Sequence, residues 1–277
     1  MAAGKTIFVR LSILMPVLLL IIMPGCGREE GYGRYVDIRY IRINSPDDII
    51  PLHDRTVEPL VYSGLVDIGK LPPDLRKRKF IELMLPSVLV VNNYLRGVRE
   101  RVERIAYKKK RKIWLRSAEK EFIRKKMAAF RARNMEHLKM KLAVHPVSIV
   151  LAQAALESGW GSSRFFVEGN NVFGVWAFDD DEPRLEAEES RIGRSVYLKK
   201  YDTLLDSILD YYRTIARGPY REFRNRRLLS DDPDELTPLL YNYSESRDRY
   251  VAKLTAVIAD AGLERFDNYI LDPEYIK

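Results

Sequence analysis

The sequence predicts a mainly helical α+β protein: a helical lobe carrying a small β lobe, preceded by a helical accessory region. Three observations predict it. Apolar residues recur at helical spacing through much of residues 58–142, and again at Leu204, Leu205, Ile208, Leu209, Tyr212 and Ile215. The run Leu151–Leu156 is nearly all apolar and ends on Glu157, Gly159 and Gly161, as a buried helix and its stop would. Strand-like patterning is confined to short stretches, Tyr40–Ile43 and Val196–Tyr201, so any sheet is small.

Length and composition set the bounds. A chain of 277 residues can bury one sizeable core and carry an accessory part. Hydrophobic residues make up 46% and charged residues 31%, the balance of an ordinary globular protein. The single cysteine excludes an intramolecular disulfide. The net charge of +8 is unevenly spread: Arg96–Lys141 holds 18 Lys/Arg against 5 Asp/Glu, leaving the remainder mildly acidic.

Residues 1–26 read as an export signal. Lys5 and Arg10 precede an apolar stretch, Leu11 to Met23, too short for a comfortable membrane span. It ends in Met23-Pro24-Gly25-Cys26, which resembles the bacterial lipobox, although Met23 stands where Leu is usual and Pro24 is unusual. Cys26 is therefore the expected lipidation site. The mature chain is expected on the periplasmic side of a bacterial membrane, held there by the lipid. Residues 27–57 read as a tether with one short extended segment. Residues 58–142 read as the basic helical accessory region, with a kink or new start at Pro86. Its cluster Lys108-Lys109-Lys110-Arg111-Lys112 suits anionic lipid headgroups or anionic wall polymers. Nucleic acid is not expected, because the chain is exported and no aromatic platform interleaves the charges.

Residues 143–277 form the candidate functional domain. His145-Pro146 fits a helix start. Glu157 falls in the last turn of the apolar helix, where the negative end of the helix dipole and the apolar neighbours Leu156 and Trp160 disfavour its charge. A carboxyl group held protonated toward neutral pH is what general-acid chemistry needs. Gln153 lies one turn earlier on the same face. Gly159 and Gly161 allow a close backbone approach. Asn170, Asn171 and Gly174 make a polar turn between apolar anchors. An acidic stretch follows, Asp179–Glu182 and then Glu186, Glu188 and Glu189, with Val196–Tyr201 as its returning strand. His53, His137 and His145 are far apart and lack ligand spacing, and there is no Walker-type loop or Ser nucleophile elbow. No metal or cofactor is expected.

The run ALESGWG followed by EGNNVFGVW resembles the core of the glycoside hydrolase family 73 glucosaminidases, and within them the Bax-like bacterial proteins. The likeness covers roughly the C-terminal half. It implies a lysozyme-like fold and hydrolysis of peptidoglycan glycan strands by an endo-β-N-acetylglucosaminidase, with Glu157 as general acid. It also implies a second carboxylate from the β lobe, Glu186 before Glu188, with Glu189 in the same region. If none serves, the substrate's own N-acetyl group can assist. Tyr243 matches a tyrosine that the family places in its cleft, though Ser244-Glu245-Ser246 departs from the family's Thr-Asp ending. Gln153, Trp160, Asn171, Phe173 and Trp176 are the expected substrate-binding residues: Trp176 against a sugar face, Phe173 for packing, Asn171 as donor to the N-acetyl group. The alternatives are a lytic transglycosylase, which also uses one Glu at such a helix end, and a non-catalytic wall-binding scaffold.

Overall fold

The computed structural model describes residues 31–187 and 195–277. The export signal, Cys26, Glu188 and Glu189 lie outside the described residues.

Over the described residues the chain is mainly helical, as expected. In order it runs β1 (Arg39–Arg42), β2 (Thr56–Val57), β3 (Leu60–Ser63), α1 (Pro73–Lys110), α2 (Ser117–Ala129), α3 (Met135–Lys141), α4 (Val147–Ser158), α5 (Arg164–Gly169), β4 (Arg184–Glu186), β5 (Tyr197–Lys199), α6 (Leu204–Arg217), α7 (Arg221–Arg226), α8 (Pro233–Leu236), α9 (Asp248–Asp260) and β6 (Ile270–Leu271). Short 3-10 helices at Thr237–Tyr243 and Leu263–Asn268 flank α9.

The organising element is α1. At 38 residues it spans about 57 Å. Its middle, from Phe80 to Val91, is buried on every side, so it runs through the core with no solvent face there. The new start expected as one outcome at Pro86 does not occur: the chain stays helical through it. Proline removes one backbone donor and crowds the preceding turn, but here neighbours pack around it on all sides and the helix continues. α1 packs on α4 and α6, and one continuous hydrophobic core joins them. The region expected to be accessory therefore supplies the central helix of the body. Only its basic end projects. Beyond Lys110 the chain turns back into α2, and Ile113 and Trp114 stand exposed at the tip. Contrary to expectation, aromatics do sit among these charges: Arg111 lies over Tyr107 and Lys120 over Trp114.

The expected tether also packs on the body. Tyr32, Val36, Ile43 and Ile49 are buried. β1 pairs in parallel with β3, and β2 pairs in parallel with β6 near the C-terminus. Lys79 of α1 donates to the Ile49 carbonyl at 2.9 Å. β1 falls on the expected extended stretch Tyr40–Ile43, whereas β2, β3 and β6 lacked a legible period because they run two to four residues and find their partners far along the chain.

The small β lobe is the antiparallel pair β4–β5, with Leu185 opposite Leu198. Lys199 ties it to α6 through Asp210 at 3.3 Å, and the Tyr201 hydroxyl donates to the same carboxylate at 2.9 Å. α4 starts one residue after Pro146, and Asp267 caps it from the far end of the chain by accepting from both the amide and the hydroxyl of Ser148.

The packing of the N-terminal segment is testable at Gly97 of α1, where an added Cβ would overlap the ring of Tyr35. Alanine gains about 1 kcal/mol of helix propensity over glycine, yet Gly97→Ala should lower stability by about 1–3 kcal/mol in urea unfolding through overpacking. Equal or greater stability would contradict this placement of Tyr35.

Candidate active site

Every residue of α4 from Val147 to Ala155 is buried, whereas Leu156 and Glu157 are partly exposed. The helix stops because three successive residues turn left-handed: Gly159 (φ 60°), Trp160 (φ 58°) and Gly161 (φ 76°). The Trp160 amide reaches back to the Ala155 carbonyl at 2.8 Å, a helix-closing bond. Gly161 has no room for a side chain, since a Cβ would sit about 3.0 Å from Ile68 and 3.1 Å from Phe80. Trp160 takes a conformation that costs an L-residue about 1–2 kcal/mol. Its ring packs edge-on against Phe80 of α1, with Lys77 over the other face. Glu157 is thus delivered to the surface at a fixed point, two residues before an anchored turn.

Around it stand tyrosines from three other places. Tyr250 of α9 faces the Glu157 carboxyl closely enough to favour its ionised form. Tyr243 stacks on Tyr250, with ring centroids 5.5 Å apart and planes 17° from parallel, and Tyr220 lies beside Tyr243 at 6.2 Å. Burial, and then the charge of Glu157, raise the proton affinity of all three hydroxyls, Tyr220 to about 12. They remain neutral donors at any ordinary pH.

Glu157 itself is pushed up to about 6 by desolvation, and the Tyr250 hydroxyl works against that rise. Among the described residues no second carboxylate contributes to the shift. Such a carboxyl group gives up its proton near neutrality, which suits it to protonate a leaving oxygen.

Of the expected site residues, Tyr243 comes within reach of the charge on Glu157. Trp176 pairs with Leu198 beside the β lobe and is 40% exposed, with Phe178 beside it at 85%. Glu186 is exposed on β4, and its carbonyl accepts from Arg164. Phe173 is buried and stacks on Tyr211 at 4.3 Å, a packing role. Two expectations need correcting. Asn171 is buried, and its side-chain amide nitrogen donates to the carbonyls of Val175 and Lys199, while its oxygen accepts from the Val175 amide. It braces the turn and has no donor left for an N-acetyl group. Gln153 is also fully buried, with its amide between Tyr211 and Tyr250. It supports Tyr250 and does not face a ligand.

The sequence reading missed Tyr220, Tyr250, Tyr211, His145 and Arg227. His145 was read as part of a helix start and set aside as a metal ligand. It bonds Tyr211 at 2.8 Å and Arg227 at 3.2 Å inside the core. Two buried polar residues so close to an apolar helix, His145 and Gln153, were the available signal, since buried polar groups need partners. Among the described residues no three His, Cys, Asp or Glu side chains gather as a metal would require.

Residues 132–263 match the Glucosaminidase family model, described as mannosyl-glycoprotein endo-beta-N-acetylglucosaminidase. The chain is 26% identical over 128 residues to the exo-glucosaminidase LytG of Bacillus subtilis (strain 168), across 43% of this chain and 45% of that protein. It is 28% identical over 145 residues to the peptidoglycan hydrolase FlgJ of Salmonella typhimurium, across 48% and 37%. The chain thus spans less than half the length of either relative. Among solved structures, the catalytic domain of the autolysin Auto from Listeria monocytogenes aligns at 21% identity and a TM-score of 0.39, over 55% of this chain and 89% of that one.

The perturbed carboxyl gives a stability prediction. A carboxyl whose folded pKa is raised stabilises the fold while protonated, and that contribution is lost as pH rises from the ordinary carboxylate value of 4.5 through about 6. Glu157→Gln removes the charge but keeps an acceptor for Tyr250. It should match the wild type in thermal unfolding at acid pH and exceed it above the window by on the order of 1–2 kcal/mol. An unchanged difference across pH would contradict the burial of Glu157.

Proposed function

We propose that the protein is a peptidoglycan hydrolase, a reading supported by the match of residues 132–263 to the Glucosaminidase family model. It cleaves the β-1,4 bond after N-acetylglucosamine within glycan strands, with Glu157 as general acid. The observation that carries this is the half-buried carboxyl at the end of α4, its proton held to about 6 by burial while Tyr250 steadies its anionic form. The acid protonates the glycosidic oxygen as the bond breaks and positive charge builds at the sugar carbon. Tyr243 and Tyr220, neutral and beside Glu157, line the approach to the reacting bond. Trp176 and Phe178 offer exposed ring faces to a sugar. The partner for the oxocarbenium centre is Glu186 of the β lobe, Glu188, or the substrate's own N-acetyl oxygen. A chain acting on the wall must leave the cytoplasm, and in this reading residues 1–26 direct export while the lipobox-like Met23-Pro24-Gly25-Cys26 provides a lipid anchor at Cys26.

The basic tip between α1 and α2 fits the same setting. Exposed Ile113 and Trp114 flanked by Lys108–Lys112 match a membrane interface, where an indole sits at headgroup level and lysines meet anionic lipid.

Digestion of purified sacculi, read by mass spectrometry, tests the function. The wild type should release fragments ending in reducing N-acetylglucosamine, and Glu157→Gln should release none while remaining folded. Anhydro-N-acetylmuramic ends would instead identify a lytic transglycosylase, and binding without release a scaffold. Separate alanine replacements at Glu186, Glu188 and Glu189 should abolish release at one position; undiminished release at all three leaves the N-acetyl group as the assisting nucleophile. The tip predicts binding to vesicles containing anionic lipid that weakens with salt and with Trp114→Ala; absent or salt-independent binding contradicts it.

A further inference from the structure

Behind Glu157 a file of buried polar groups crosses the core from Arg227 to the carboxyl. Arg227 is buried and donates to His145 Nδ1 at 3.2 Å. His145 Nε2 meets the Tyr211 hydroxyl at 2.8 Å, and the Tyr211 hydroxyl meets Gln153 Oε1 at 2.6 Å. Gln153 Nε2 meets the Tyr250 hydroxyl at 2.8 Å, and that hydroxyl faces the Glu157 carboxyl. The groups come from α3–α4, α4, α6, α9 and the residue after α7.

The direction of every hydrogen atom follows from one end. A guanidinium can only donate, so His145 Nδ1 must accept. A neutral imidazole then carries its one proton on Nε2. Burial and the Arg227 charge keep the ring neutral, and Arg227, held down to about 10 by its own burial, stays cationic at neutral pH. Nε2–H donates to Tyr211, so the proton of Tyr211 is free for the next acceptor. The atom it meets must be the amide oxygen of Gln153, which leaves the amide nitrogen to donate to Tyr250. The Tyr250 oxygen is now an acceptor from Gln153, and its own proton points to Glu157.

We propose that the chain Arg227–His145–Tyr211–Gln153–Tyr250 is a one-way donor relay that keeps the Tyr250 hydroxyl proton directed at the Glu157 carboxyl. Arg227, His145, Tyr211 and Gln153 are positioning residues: they touch no substrate and act through Tyr250. The relay deepens the general-acid reading of Glu157 and rests on it for its catalytic meaning. When Glu157 releases its proton, the carboxylate that forms finds a donor already aimed at it, so nothing has to reorient at that moment. The other groups facing Glu157 are the neutral hydroxyls of Tyr220 and Tyr243; those facing His145 are Tyr211, Tyr212 and Arg227. None of these hydroxyls titrates in the range where Glu157 does.

The relay makes a prediction that mere packing does not. Without the Tyr211 hydroxyl, nothing fixes the Gln153 amide, which can turn its oxygen toward Tyr250 and take the proton that Glu157 had. The test follows the side-chain carboxyl carbon of Glu157 by NMR in glutamate-labelled protein, the signal being assigned by its loss in Glu157→Gln. It needs no substrate, so it stands whether or not sacculi are cut. Tyr250→Phe should raise the Glu157 midpoint by about one pH unit. Tyr211→Phe should raise it in the same direction. The double variant should move it no further than Tyr250→Phe alone, because both remove one bond to Glu157. A Tyr211→Phe midpoint equal to the wild type, or additive shifts in the double variant, would overturn the relay. If Tyr211→Phe does not fold by circular dichroism, Arg227→Met replaces it: removal of the donor that sets the sequence should give the same upward shift, and an unmoved midpoint would overturn the proposal.

Discussion

The partial desolvation of one carboxyl group is the constraint on which the rest depends. α4 is too apolar to solvate anything, and Glu157 sits where that helix meets the surface. Deeper burial would neutralise it for good, and full exposure would return it to an ordinary carboxylate. The position between the two is held by geometry on both sides. The left-handed turn through Gly159, Trp160 and Gly161 fixes where the helix ends. Tyr250 sets a limit on how reluctant the acid is to ionise.

Holding that point requires a rigid wall behind α4, and α1 supplies it. Phe80 packs against both Trp160 and Phe166, so the stop of α4 and the start of the next helix lean on the same ring. The N-terminal segment and the last residues clamp the outside of this assembly. Val36 bridges to Ile276, and Tyr35 accepts a backbone bond from Lys277. Asp267, on the turn before β6, caps α4. The matched family segment, residues 132–263, thus has its apolar floor built by chain that precedes it. Burying side chains of this size contributes about 1.5–3 kcal/mol each, which is why residues 31–57 pack down although they show no helical pattern.

What the sequence made legible was local. The apolar run, its glycine stop and the placement of Glu157 follow from neighbours within a turn or two, and so do α6 and the returning strand β5. What stayed illegible was partnership across the fold. Gln153 lies one turn before the acid and Asn171 in the polar turn that follows it, so a ligand-facing role was the natural expectation for both. Their hydrogen-bond partners lie 58 and 97 residues away for Gln153, and 4 and 28 residues away for Asn171. No spacing rule encodes such partners. Tyr250 sat in view within YNYSESRDRY, but only the docking of α9 on α4 turns its hydroxyl toward Glu157. The helix continues through Pro86 for a related reason: packing that only the assembled core reveals overrules proline's local preference to end a helix.

The most direct measurement of the central claim is the ionisation midpoint of Glu157 in the wild-type protein, read from its labelled side-chain carboxyl carbon as pH is raised. A midpoint near 6 is the value that burial against Tyr250 produces. A midpoint at or below the ordinary carboxylate value of 4.5 would show a solvated acid, and the account of α4 as the element that holds a catalytic proton would fail.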